Sequence, residues 1–202
     1  MTRVRLLVET DQPAVGELLV QAFPDEMRRI VGIETARRAA VMADLTPPSP
    51  NHFVADVGER VAGVMLLQDH AVPAPNVDYW SVLRRRLSFL ETLRAAVMLL
   101  IFDLNRFPRD RLYIDTLAVH PDYQGRGVAG ALLRYAITKG QQRGKAALAL
   151  HVIDQNHHAQ AIYEHLGFGV VRTERTWFMA PVLGFWSAHY MELPLSPALC
   201  IP

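Results

Sequence analysis

The sequence predicts an α/β (α+β) fold with about seven strands flanked by helices and a helical insertion after the third strand. Three observations carry this expectation. Strand-like runs and helical periods follow the order β-α-α-β-β-insert-β-α-β-α-β-β. A run ending at Val119 leads through a short turn into the glycine-rich helix start Gln124-Gly125-Arg126-Gly127-Val128-Ala129-Gly130. A stretch of helix-forming composition, Ser81 to about Asn105, interrupts the strands.

Each element has a local reason. Val4 to Glu9 is an apolar run that reads as the first strand. Thr10 or Asp11 is placed to cap the following helix, with Pro13 in its first turn. Ala14, Val15, Leu18, Leu19 and Ala22 recur at helical spacing, and Phe23-Pro24 ends the pattern. A second helix is expected over Glu34 to Leu45, before the stiff Thr46-Pro47-Pro48-Ser49-Pro50 break. His52–Val57 and Arg60–Leu67 read as a hairpin around Gly58-Glu59. Within the insertion, set at residues 71–110, Leu83, Leu87, Leu90, Leu93, Val97 and Leu100 share a helical stripe, enough for one or two helices. Leu112–Val119 and Lys145–Ile153 are strand-like, and a helix from the glycine-rich turn to about Arg143 lies between them. Asn156–Leu166 reads as a helix with Gly167 at its left-handed exit. Gly169–Trp177 and Phe185–Leu193 complete the strands.

Composition narrows the function classes. The chain has 202 residues, which suits one domain carrying an insertion, and a formal net charge of +1. That balance gives no basic field for nucleic acid. The longest apolar run, Ala95 to Phe102, is far short of the roughly 20 residues a membrane span needs. The single cysteine, Cys200, excludes an internal disulfide and a thiolate metal cluster, and a cytoplasmic setting is the simplest reading. His151, His157, His158 and His165 cluster in sequence without a metal-binding spacing, so no metal is expected.

The chemistry concentrates around the glycine-rich turn. Small residues let phosphate oxygens approach the main chain, where the N–H groups of a helix start present partial positive charge. Arg126 can add a charge-assisted contact. A glycine-rich turn with no ligand has the same composition. The turn lacks the lysine of a Walker loop, and its place after a hairpin does not suit a dinucleotide fold. Downstream, Asn156 and Tyr163 stand seven residues apart, two helical turns, so an amide and a phenol share one face. Tyr163 could equally be a half-buried core tyrosine.

Together, Leu117-Ala118-Val119-His120-Pro121, Gln124-Gly125-Arg126-Gly127-Val128-Ala129, Asn156-x-x-Ala159-x-x-Ile162-Tyr163 and Leu166-Gly167-Phe168 resemble the GCN5-related N-acetyltransferase (GNAT) superfamily. The resemblance implies a mixed, mostly antiparallel central sheet and acetyl-coenzyme A as acyl donor. By the same analogy the main chain of Leu117, Ala118 and Val119 pairs with the pantetheine arm. Gln124, Gly125, Arg126, Gly127, Val128, Ala129 and Gly130 hold the pyrophosphate. Asn156 contacts the cofactor arm, and Tyr163 lies near the sulfur and protonates the departing thiolate. Asp115 aligns with a carboxylate that some members use as base, and acts here as base or amine-orienting group, directly or through water. The N–H of Val119 stabilises the oxyanion.

The implied reaction is acetyl transfer to a primary amine, by direct attack in a ternary complex. The acceptor is a small-molecule or peptide amine that no motif decodes, with no nucleic acid or membrane partner. A non-catalytic acyl-CoA-binding module and an enzyme using a longer acyl-CoA remain alternatives. The apolar insertion suits packing on its own domain, an acceptor-site lid or a homodimer contact.

Overall fold

The computed structural model describes residues 2–24, 35–89, 91–93, 95, 107–175 and 185–195. Strands are β1 (Thr2–Leu6), β2 (His52–Val57), β3 (Arg60–Gln68), β4 (Arg111–Val119), β5 (Ala147–Ile153), β6 (Gly169–Arg175) and β7 (Ser187–Pro194). Helices are α1 (Gln12–Ala22), α2 (Thr35–Leu45), α3 (Tyr79–Arg86), α4 (Val128–Gln142) and α5 (His157–His165). The strands form one seven-stranded sheet in the order β1-β2-β3-β4-β5-β7-β6. The β4–β5 pair is parallel, whereas β1–β2, β2–β3, β5–β7 and β6–β7 are antiparallel. This is the mixed, mostly antiparallel sheet that the resemblance implied.

The chain divides into two compact units. The first comprises Met1–Leu66, Val72–Arg106 and Thr116–Leu133. Its core holds Leu7, Val15, Leu18, Leu19, Val54, Val64 and Ala118. A Cβ on Gly16 would collide with the Ala39 carbonyl, so α1 and α2 pack at backbone contact. Asp11 precedes α1 as expected, but its carboxylate does not cap that helix. It accepts the Val8 N–H at 2.9 Å and both guanidinium nitrogens of Arg5 at 2.6 and 2.9 Å. Arg5 also holds Asp56 at 2.6 Å, tying β1 to β2.

The insertion is broken at Leu87. Asp78 caps α3 by accepting the Ser81 N–H, and the backbone turns extended at Leu87. Ser88 then opens a second helical stretch. Its N–H and hydroxyl both donate to the Glu91 carboxylate, at 2.9 and 2.7 Å. That is half of a Ser-x-x-Glu capping box, a signal visible in the sequence. Leu83, Leu87 and Ala95 bury against Val41 of α2, and Arg86 pairs with Asp44 at 3.1 Å. Of the expected stripe, Leu83 and Leu87 are thus buried within this unit, whereas Leu93 is 49% exposed; Leu90, Val97 and Leu100 lie outside the described residues, as does Cys200.

The second unit comprises Leu67–Ala71, Phe107–Asp115 and Arg134–Pro202. The parallel ladder runs from Arg111↔Ala147 to Ile114↔Leu150, four residues, although β4 continues to Val119. Asp69 is buried and takes Lys145 at 2.5 Å, Arg143 at 3.2 Å and the Ala71 N–H at 2.9 Å. Burial alone would raise its pKa. The bond from Lys145, with the Ala71 N–H and the charge of Arg143, outweighs burial and holds it below the ordinary carboxylate value. Among the described residues, no helix is long and apolar enough to cross a membrane.

Candidate active site

The first unit carries the glycine-rich turn. After β4, the His120 N–H bonds the Ala62 carbonyl at 2.9 Å, which ties the strand exit to β3. His120 then caps the one-turn 3-10 helix Pro121–Tyr123, its Nδ1 accepting the Asp122 N–H at 3.2 Å. Gly125 and Gly127 follow with φ of +70° and +78°, a left-handed backbone that side-chain-bearing residues rarely adopt. A Cβ at either would meet nothing within 4 Å. These glycines are thus required by conformation and leave an open, exposed surface. The first intrahelical bond of α4 runs from the Ala131 N–H to the Gly127 carbonyl. The N–H groups of Val128, Ala129 and Gly130 therefore sit in the opening turn, where a helix has donors without intrahelical acceptors. A geometry of open left-handed glycines leading into a fifteen-residue helix fits a pyrophosphate.

Two neighbours seat this turn. Gly63 of β3 has Val128 Cγ1 within 2.9 Å of where a Cβ would stand, with Leu132 and the Ala118 carbonyl close behind. The missing side chain lets α4 start directly on the strand. Arg126 lies over the Tyr123 ring at 5.4 Å, a contact the sequence reading did not single out. A cation three residues after an aromatic across a tight turn was the available signal.

The second unit carries the carboxylate and the phenol. Asp115 is exposed on β4, and Gln68 Nε2 donates to its Oδ1 at 2.8 Å. Gln68 was not anticipated, because its contact with Asp115 crosses 47 residues of chain. Tyr163 is half-buried on α5, 5.7 Å from the Phe168 ring, and burial pushes its phenol up to about 12. The expectation that Asn156 and Tyr163 share a helical face needs correction. Asn156 precedes α5 with φ −89° and ψ 64°, and its Oδ1 accepts the Ala159 N–H at 3.1 Å. It is the N-cap, so its carbonyl oxygen serves the helix and its amide hydrogens are what it can offer a ligand. Gly167 takes the left-handed exit with φ +95°.

A polar row unforeseen from sequence also lies on the Asp115 face of the sheet. Tyr113 is two residues before Asp115 on β4, so the two share a face. The Tyr113 hydroxyl lies 2.7 Å from His151 Nδ1, and His151 stands opposite Tyr190 in the β5–β7 register. Arg172 of β6 covers the Tyr190 ring at 3.9 Å and bonds Glu174 at 2.8 Å. Among the described residues no group of His, Cys, Asp and Glu is arranged to hold a metal ion.

The sheet order, the glycine-rich turn after β4 and the capped helix after β5 define a mixed α/β chain of the kind the resemblance implied. The acetyltransferase (GNAT) family model matches residues 14–168, and the chain belongs to that family. It is similar to the [ribosomal protein bS18]-alanine N-acetyltransferase of Escherichia coli, 36% identical over 95 residues. That match covers 47% of this chain and 64% of the relative's length, a little under two thirds. Among solved structures, one acetyltransferase shows 20% identity and a TM-score of 0.71, covering 96% of this chain and 100% of its own. A Bacillus subtilis acetyltransferase in complex with CoA shows 16% identity and a TM-score of 0.60, covering 97% and 100%.

Proposed function

We propose that the protein is an N-acetyltransferase of a single GNAT domain that moves an acetyl group from acetyl-coenzyme A to a primary amine. The open left-handed pair Gly125 and Gly127 at the start of α4 carries this reading most directly. The backbone of Gln124 to Gly130, with Arg126, binds the pyrophosphate. The β4 main chain at Leu117, Ala118 and Val119 takes the pantetheine arm by strand addition. The parallel ladder ending at Ile114 supports this role, because β4 runs five residues beyond it. The Asn156 amide donates to the same arm.

Acetyl-CoA supplies an activated thioester; the residues of the chain supply proton management and orientation. The Val119 N–H polarises the carbonyl as the amine nitrogen bonds to its carbon. As the carbon–sulfur bond breaks, the Tyr163 hydroxyl gives its proton to the sulfur. Its raised pKa keeps that proton available across the working pH range. Asp115, exposed and bonded by Gln68, orients the incoming ammonium group and takes its proton, directly or through water, so that the neutral amine attacks. The name of the E. coli relative makes a peptide with a free N-terminal alanine the first acceptor to test. Release of free thiol from acetyl-CoA in the presence of that peptide and a panel of small amines, with product mass, is the direct experiment. Tight binding of acetyl-CoA with no turnover on any amine would overturn the enzymatic reading and favour a binding module.

A further inference from the structure

We propose that the outer side of the insertion is a membrane-surface contact, which rests the protein on a bilayer of anionic lipids without spanning it. The inference is independent of the acetyl-transfer reading. It uses residues of the first unit alone: α3, the helical stretch opened at Ser88, and α2 beneath them.

Both stretches bury one side against α2. Leu83, Leu87 and Ala95 cluster with Val41, and Thr92 is fully buried. The side chains left outward are of two kinds. Tyr79, Trp80, Phe89 and Leu93 are large and apolar yet exposed, Phe89 by 73%. Arg84 and Arg85 are exposed and form no salt bridge among the described residues. Trp80 and Arg84 are one helical turn apart, with the guanidinium 5.9 Å from the indole centroid. Phe89 and Leu93 have the same spacing in the second stretch, so they share a face.

Charge selects the occupant. From Tyr79 to Leu93 three arginines stand against one acid, Glu91, which already accepts the Ser88 N–H and hydroxyl. The nearby acids are engaged too: Asp78 with Ser81, and Asp44 with Arg86. A second copy of the chain would set the same positive patch against itself. A nucleic acid would match the arginines but leave Phe89 and Leu93 against phosphate and sugar. An anionic bilayer suits both kinds of side chain. Trp and Tyr settle at headgroup level, Phe and Leu reach the acyl boundary, and arginine meets the lipid phosphates. The sequence expectation of no membrane partner rested on span length and overall charge. A contact that lies on the surface needs neither a span nor a net basic chain.

The test is flotation of the full chain with vesicles of phosphatidylcholine, alone or mixed with phosphatidylglycerol, alongside tryptophan emission. The protein should bind the mixed vesicles and not the neutral ones, and added salt should release it. Emission should shift to shorter wavelength on binding. W80F should lose that shift, although Trp177 and Trp186 remain. R84Q/R85Q should weaken binding about 30-fold, the effect of two arginines at an anionic surface. F89S should weaken it about 10-fold, a loss that charge attraction alone would not produce. These four residues are exposed, so the variants should keep the wild-type melting temperature and acetyl-CoA affinity. No vesicle binding, equal binding to neutral and anionic vesicles, or binding unchanged in R84Q/R85Q and F89S would overturn the proposal. So would tighter binding of transfer RNA that the same variants abolish, or a self-association that F89S removes. Thiol release from acetyl-CoA tests the acetyl-transfer reading separately, and none of these outcomes bears on it.

Discussion

Gly63 and Val128 are in such close contact that a single added carbon on Gly63 would come within 2.9 Å of Val128 Cγ1. Leu132 Cδ1 and the Ala118 carbonyl would stand at 3.1 and 3.2 Å, so the new methyl has backbone as well as side chain against it. Gly127, the second left-handed glycine of the turn, immediately precedes Val128. Gly63→Ala should therefore destabilise the protein by about 1–3 kcal/mol, as overpacking does. It should also weaken acetyl-CoA binding by displacing the start of α4. Thermal unfolding with and without acetyl-CoA measures both; an unchanged melting temperature would show that the strand and helix can move apart freely.

Gly125 and Gly127 behave differently, because the space beside them is open. Gly125→Ala and Gly127→Ala meet no neighbour and cost only the left-handed backbone, about 1–2 kcal/mol each. If their backbone binds pyrophosphate, the loss of acetyl-CoA affinity, read by calorimetry, should exceed the loss of stability. Equal losses in the two measurements would remove the turn from the binding site.

Tyr163→Phe should lower kcat at least 10-fold with little change in acetyl-CoA affinity, since the ring and its packing on Phe168 remain. The phenol's pKa of about 12 gives a further expectation. Tyr163 keeps its proton through neutral and moderately alkaline solution. The wild type should show no fall in kcat from this group below roughly pH 11. A basic limb near pH 9 that vanishes in Tyr163→Phe would contradict this.

Asp69 is a structural carboxylate, 1% exposed between Lys145 and Arg143. Asp69→Asn leaves Lys145 without its buried counter-charge and should cost about 3 kcal/mol at neutral pH. Its folded-state pKa is depressed, so the stabilisation is present above the unfolded value of roughly 4 and is lost as pH falls through the folded value. Denaturant unfolding of both proteins should therefore converge as pH drops below about 4, and differ most above it.

The insertion offers a local check. Ser88→Ala removes the hydroxyl bond to Glu91 at the start of this helical stretch and should cost about 1 kcal/mol. Chemical denaturation reports it. Activity should be unaffected, because this helix start lies in the segment whose buried face is covered by Val41.

Much was legible in sequence because it depends on neighbours along the chain. The β2–β3 hairpin, the glycine-rich start of α4, the Asn156 region and the Gly167 exit each follow from a few consecutive residues and their backbone preferences. The break at Leu87 was legible in principle, since Ser88-x-x-Glu91 is a local signal. Element ends shifted by one to three residues where tertiary pairing set the last bond: β1 stops at Leu6 rather than Glu9, and the Leu7 N–H bonds the His52 carbonyl outside that strand.

Other features belong to the folded chain alone. Gln68 reaches Asp115 across 47 residues, and Tyr113 reaches His151 across 38. Arg111 meets Glu192 across 81. No periodicity encodes such pairs, because strand order and register decide which side chains stand abreast. The sequence by itself determined the elements, the glycine-rich turn and the family. The tertiary structure decided which titratable groups share a face, since that depends on a parallel β4–β5 register four residues long and on the antiparallel registers that β7 makes with β5 and β6.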